Sequence, residues 1–193
     1  MESEARFVLR NARHLAADYM TRTIRRGDTV VDATMGNGKD TLFLAELVGE
    51  SGRVHAFDVQ PEAVARTRER VHEAGFDGRV SLHLAGHETM KTHVAPGVQA
   101  VMFNLGWLPG AEHAVTTLTH TTLTAAQAAC ELLAPGGIVT ICVYPGHEEG
   151  KRELEALDAW AASLSVRTYN ILRHHFANAP VYTPQLFLIQ RNG

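Results

Sequence analysis

Seven short apolar runs recur along the chain, and longer segments with helical spacing of their apolar positions separate most of them. TVVDA (29–33), RVHAFDV (53–59), RVSLHLA (79–85), QAVMFNL (99–105), GIVTICVY (137–144), SVRTYNIL (165–172) and QLFLIQ (185–190) read as strands. Several are almost wholly apolar, the pattern of a strand covered by helices on both faces. Residues 7–25 read as an amphipathic helix, with Phe7, Leu15 and Met20 among its apolar positions. Further helices are expected at 40–48, 61–74, 114–134 and 148–163. Pro61 is a favoured first-turn residue and Gly75 a stop, while PGG (135–137) is expected to end the 114–134 helix. This alternation predicts a doubly wound α/β sheet of seven strands. Only the turn-rich NAPVYTP (178–184) separates the last two strands, so the final one is expected to run antiparallel to its neighbour.

Composition narrows the class. With 193 residues and neither repeat nor linker, the chain reads as one domain, 1–193, whose first 27 residues carry a basic helix. An apolar share of 45% beside 20% charged residues is that of a soluble globular protein. No stretch approaches the roughly 20 apolar residues of a membrane span, and the charged N-terminus lacks the apolar centre of a signal peptide. Cys130 and Cys142 stand far apart without metal-ligand spacing, so a reduced, cytoplasmic chain is expected. Net charge is −3, but Arg6, Arg10, Arg13, Arg22, Arg25 and Arg26 face the single acid Asp18 between residues 5 and 27. That local +5 leaves −8 for the rest. A basic lobe on an acidic body suits a phosphate backbone; a solvated helix face reads equally well.

Candidate chemistry begins at DATMGNGKDT (32–41). Ligands of open α/β sheets bind beyond the carboxyl ends of the strands, beside the first strand. Gly36 and Gly38 let a ligand approach the backbone, but Thr41 stands where a pyrophosphate-binding G-x-G-x-x-G wants its third glycine. Asp58 ends the next strand, twenty residues past Gly38, where an acid bonds ribose hydroxyls. Acids at 32, 40 and 58 fit an adenosine with a sulfonium and no phosphate: S-adenosylmethionine. A tight strand-to-helix turn with capping Asn37 and Asp40 is the plainer alternative. In GHE (86–88), His87 or Glu88 is a candidate partner for the adenine amine; alternatively, Glu88 satisfies the first N–H groups of a short helix.

NLGWLPG (104–110) leaves the strand beside the first. Asn104 ends an apolar run, where a buried amide needs partners. Leu105 and Gly106 offer carbonyls, Trp107 a flat wall and Pro109 a stiff turn. The loop resembles the Asn-Pro-Pro-aromatic loop of amino-group methyltransferases, without its double proline. In VYPGHEEG (143–150), Tyr144 and His147 are candidates for the acceptor pocket; His147 with Glu148 and Glu149 also reads as a helix start. The eleven histidines show no metal-ligand spacing beyond the His174–His175 pair, so no metal is expected.

DATMGNGKDTLFLA, FDVQ, GHE, NLGWLPG and YPGHEEG, in this order, resemble the small S-adenosylmethionine-dependent methyltransferases once called rRNA methylases and now associated with the tRNA wobble uridine. The likeness spans nearly the whole chain. It implies the class I methyltransferase sheet with an antiparallel last strand, unlike the all-parallel dinucleotide fold. It implies methylation of 5-aminomethyl-2-thiouridine to 5-methylaminomethyl-2-thiouridine. Cofactor contacts are then expected from Asn37, Asp40, Asp58, Gln60, His87 and Glu88, with Asn104 and the following loop near the amine. The arginine-rich first helix would hold the anticodon stem-loop of tRNA, and the last two strands are a candidate homodimer surface. The rival readings are an rRNA or small-amine methyltransferase and, from another class, a nicotinamide-dependent oxidoreductase.

Overall fold

The structure, a computed structural model, describes residues 11–106 and 117–193. The elements in chain order are α1 (Ala12–Thr23), β1 (Thr29–Asp32), α2 (Lys39–Val48), β2 (Arg53–Asp58), α3 (Pro61–Glu73) and β3 (Val80–Leu84). A 3-10 helix (His87–Thr92), β4 (Val98–Asn104), α4 (Thr119–Leu132), β5 (Leu133–Val143), α5 (Glu148–Ser163), β6 (Tyr169–His174) and β7 (Gln185–Arg191) follow. The strands form one sheet in the order β3-β2-β1-β4-β5-β7-β6. Only β7 runs against its neighbours, β5 and β6. A parallel return needs a crossover of about a dozen residues or more. The link 175–184 instead folds into two turns, closed by Ala179 N–H to the Phe176 carbonyl and Thr183 N–H to that of Pro180.

The central strands bury both faces, whereas the edge strands β3 and β6 leave Leu84 and Leu172 exposed. Val30, Val54, Ala100, Met102, Ile138 and Cys142 pack beneath α1 and α2. Val31, Phe57, Val101, Phe103, Val139 and Ile141 pack against the 3-10 helix, α4 and α5. The uninterrupted apolar runs are thereby accounted for. No helix among the described residues is long and apolar enough to cross a membrane.

Several boundaries differ from the sequence expectation, among them the start of α4, where the extended Leu118 precedes Thr119 and residues 114–116 lie outside the described residues. PGG lies inside β5, because the pairing with β4 shifts register between Val98 and Ala100. Gly136 takes φ +79°, and a Cβ on Gly137 would sit 3.0 Å from the Gln99 and Val98 carbonyl oxygens. These glycines serve a bulge rather than a helix stop. β6 begins at Tyr169 rather than 165, because Thr168 and Tyr169 N–H groups first close a turn onto the Ser165 carbonyl. The first helix starts at Ala12, where Asn11 Oδ1 accepts from His14 N–H at 3.1 Å; residues 7–10 lie outside the described residues.

Two glycines at positive φ provide a test of packing. A Cβ on Gly38 (φ +77°) would lie 2.9 Å from Thr67 Oγ1, whereas one on Gly75 (φ +71°) meets nothing within 4 Å. Gly75→Ala is expected to cost about 1 kcal/mol, the strain of the backbone alone. Gly38→Ala is expected to cost at least about twice as much, with a correspondingly larger fall in melting temperature in thermal denaturation.

Candidate active site

The carboxyl ends of β1, β2, β4 and β5 open onto a cleft of about 750 Å³. Chain connections diverge between β1 and β4, one leading to β2 and the other to β5, so loops from both directions leave a gap there. The floor is the turn between β1 and α2. Gly36 takes φ +49° and Gly38 φ +77°, a path closed to most side chains. Gly36 N–H donates to Asp58 Oδ2 at 3.0 Å, and its carbonyl accepts from Thr67 Oγ1 at 3.0 Å. Gln60 N–H donates to Asp58 Oδ1 at 2.9 Å. Asp58 is thus held by one backbone donor on each oxygen while lining the cleft, which leaves lone pairs for hydroxyl groups. Burial raises its pKa, and the backbone donors work against that rise.

Asp32 faces inward. Its carboxylate is 1% exposed and accepts from Thr41 Oγ1 at 2.6 Å and Thr34 N–H at 3.1 Å. Burial, followed by the charge of Asp40, pushes it up to about 7. Thr41, which replaces the third glycine, is therefore a wholly buried anchor for the turn.

A polar chain crosses one side of the cleft. Arg13, on α1, pairs with Asp40 Oδ1 at 2.6 Å. Asn104 Nδ2 donates to Asp40 Oδ2 at 3.4 Å, and Tyr144 donates to Asn104 Oδ1 at 2.7 Å. A carboxylate only accepts, so Asp40 orients the Asn104 amide with its oxygen toward Tyr144. That oxygen keeps a second lone pair. Burial pushes the Tyr144 hydroxyl up to about 12, so it stays a neutral donor. Asn104 N–H is fixed from behind by Thr34 Oγ1 at 2.7 Å.

At the other end, His87 is buried and lies 3.1 Å through Nδ1 from the Ala33 carbonyl. Burial lowers its pKa, so the ring is neutral, Nδ1 donates, and Nε2 becomes an acceptor. Glu88 folds over Gly86, where any Cβ would come within 2.3 Å of its carboxylate oxygens.

Of the expected site residues, Gly36, Asn37, Asp40, Asp58, Gln60, His87, Glu88, Asn104, Leu105, Tyr144 and His147 line one cleft. Asp32 and Gly38 stand behind its wall, and Trp107 lies outside the described residues. His147 resolves toward the helix start: its Nδ1 accepts from Gly150 N–H at 3.2 Å and caps α5. With Nδ1 accepting from a backbone N–H, the ring carries its own N–H on Nε2. The basic segment is not one patch. Arg13 sits at the cleft, but Arg22, Arg25 and Arg26 lie toward the opposite end of a helix about 18 Å long. There Gly27 N–H bonds the Val48 carbonyl and Arg26 packs on Gly49. Arg6 and Arg10 lie outside the described residues. Sequence reasoning did not assign Arg13, Thr34, Thr117 and Tyr182 to the cleft, which they also line. Thr34 belongs to the glycine turn already assigned to the site, whereas Arg13, Thr117 and Tyr182 are brought in by distant elements and carried no local signal.

Asp32 sets a pH signature. Its folded pKa of about 7 lies above the ordinary 3.8, so from about pH 4 to 7 the unfolded chain has released a proton that the folded protein keeps. Wild type should lose stability relative to Asp32→Asn across that window and level off above it. Urea unfolding of both proteins as a function of pH reads the difference.

Residues 54–190 match the family described as "Putative rRNA methylase". The chain is 35% identical, over 97% of its length, to the chloroplastic tRNA (mnm(5)s(2)U34)-methyltransferase of Arabidopsis thaliana and covers 72% of that protein. The solved "putative rRNA-methylase" of Clostridium thermocellum superposes with a TM-score of 0.93 at 39% identity, covering 96% of this chain and all of that one. A "putative methyltransferase" of Streptococcus mutans, solved in complex with SAH, gives 0.86 at 34% identity, covering 95% of this chain and 99% of that one. The family match covers most of the chain and the relatives align along nearly all of it, so the chain belongs to this family of S-adenosylmethionine-dependent methyltransferases.

Proposed function

We propose that the protein methylates the primary amine of 5-aminomethyl-2-thiouridine at the tRNA wobble position, giving 5-methylaminomethyl-2-thiouridine. The observation that carries this reading is the Asn104 amide. It is fixed by Asp40 and Tyr144, with an oxygen lone pair left over beside the cleft. Such an oxygen suits an amine N–H. The Arabidopsis relative, which is named for this nucleoside, supports the same acceptor.

The residues fit the cofactor. Asp58 would hold the ribose hydroxyls, while His87 Nε2 or Glu88 would accept from the adenine amine. Gly36, Asn37 and Gln60 would frame the adenosine. When bound, S-adenosylmethionine supplies a methyl group activated by a sulfonium. Asn104 and the Leu105 carbonyl would then aim the amine nitrogen at that methyl carbon. One N–C bond forms as the S–C bond breaks, and one proton passes to solvent. The ammonium, near pKa 10 in water, must first lose a proton, and burial in the cleft lowers that pKa. Positioning and desolvation then supply most of the acceleration, without a side-chain base. On this reading the whole chain acts as one domain. Arg13 and the basic segment preceding it meet the anticodon stem-loop phosphates.

Purified protein with S-adenosylmethionine and tRNA carrying the aminomethyl precursor should yield the methylaminomethyl nucleoside on digestion. Transfer to ribosomal RNA and not to this tRNA would overturn the assignment. Asn104→Ala should lower turnover by roughly 100-fold while S-adenosylhomocysteine affinity, read by calorimetry, stays within about threefold. Equal losses in both would remove Asn104 from the amine.

A further inference from the structure

Glu153 is a charged side chain that the cofactor site does not use. It lies on α5, is 1% exposed, and has no ion-pair partner among the described residues. A buried carboxylate without a cation costs free energy, and burial here, reinforced by the charge of Glu149, raises its pKa. Its partners are two threonine hydroxyls. Thr122 Oγ1 donates to Glu153 Oε1 at 2.7 Å, and the Thr117 side chain bonds the same carboxylate. Thr117 in turn grips Gly106 twice. Gly106 N–H donates to Thr117 Oγ1 at 3.1 Å, and Thr117 N–H donates to the Gly106 carbonyl at 3.1 Å. One turn away on the same helix, Glu149 accepts from both Thr119 N–H and Oγ1 at 2.8 Å, which fixes the start of α4.

We propose that Glu153 is a positioning residue for methyl transfer: through Thr117 it holds the backbone at Gly106, and so the acceptor side of the cleft. The inference rests on the reading that Asn104 and the residues after it face the acceptor. Its logic is the direction of the hydrogen bonds. In its ionised form Glu153 has no proton to give, so both threonine hydroxyls then point their hydrogens at it. The lone pairs of Thr117 Oγ1 are then committed to Gly106 N–H. A neutral amide at 153 would offer a donor as well as an acceptor, and Thr117 could turn its hydroxyl away. Gly106, at φ +116°, follows Leu105, whose N–H is tied to the Cys142 carbonyl at 3.0 Å. The backbone from Asn104 to Gly106 is thus held by β5 on one side and by the Glu153–Thr117 chain on the other.

The test separates positioning from ordinary stabilisation. Glu153→Gln removes a costly buried charge, so melting temperature at neutral pH should hold or rise. Acceptor kcat/KM should nevertheless fall by roughly tenfold, with S-adenosylhomocysteine affinity within about twofold. Thr117→Val should show the same loss, Thr117→Ser should restore activity, and the Glu153→Gln/Thr117→Val double variant should be no worse than Thr117→Val. Hydrogen exchange at the Gly106 amide should accelerate about tenfold in Glu153→Gln, a readout that needs no acceptor. Unchanged exchange, additive losses or a parallel loss of S-adenosylhomocysteine binding would overturn the proposal. Faster exchange in a protein that is inactive on the aminomethyl tRNA would instead refute the substrate reading and leave the Glu153 chain standing.

Discussion

Two carboxylates set the turn on which the site is built. Asp32 holds Thr41 and Thr34 from beneath, and Asp58 holds Gly36 N–H from the neighbouring strand. Between them the chain leaves β1 through two glycines at positive φ and enters α2. The turn is therefore anchored by charge acceptors and not by the glycine path alone. A pyrophosphate would meet repulsion from Asp58, which lines the cleft, while a sulfonium-bearing adenosine would not. The preference for a cationic, phosphate-free ligand is part of the scaffold.

On the function proposed above, the same rule governs the acceptor side. Asn104 is useful only if its amide points one way, and a side-chain amide has two nearly isosteric orientations. Asp40 removes the ambiguity, because it can only accept, and Arg13 neutralises the carboxylate that does so. Tyr144, a neutral phenol whose pKa burial raises further, completes the clamp. Beyond Asn104 the backbone passes to Gly106, where Thr117 and Glu153 take over. Strand, helix N-terminus and a second helix thus converge on three consecutive residues. Such rigidity is what a displacement governed by alignment demands.

The first helix connects the two ends of the molecule. Its apolar positions Ala12, Ala16 and Met20 are buried on the sheet, and its arginines are distributed along its length. Arg13 belongs to the site, whereas Arg22, Arg25 and Arg26 belong to the base of the sheet. A run of like charges in sequence is not a patch in space when the helix carrying it spans the domain from top to bottom.

Much of the fold was legible in the residue pattern. Apolar runs located all seven strands, Pro61 and Gly75 bounded α3, and the turn-rich link before Gln185 revealed the antiparallel strand. These signals are local: backbone preference, hydrophobic period and the reach of a short connection. The glycine turn and the acid at the end of β2 are local too, and they pointed to the cofactor. What sequence could not specify is direction. Whether the carboxylate of Asp32 faces the ligand or the core depends on which face of β1 packs against α2. Whether His147 takes protons or caps a helix depends on where Gly150 N–H falls. Arg13, Thr117 and Glu153 enter through contacts made across the fold, which only the packing of distant elements creates. The chain by itself determined a doubly wound sheet with an adenosine turn; tertiary structure decided which polar atoms face the ligand and which hold the others in place.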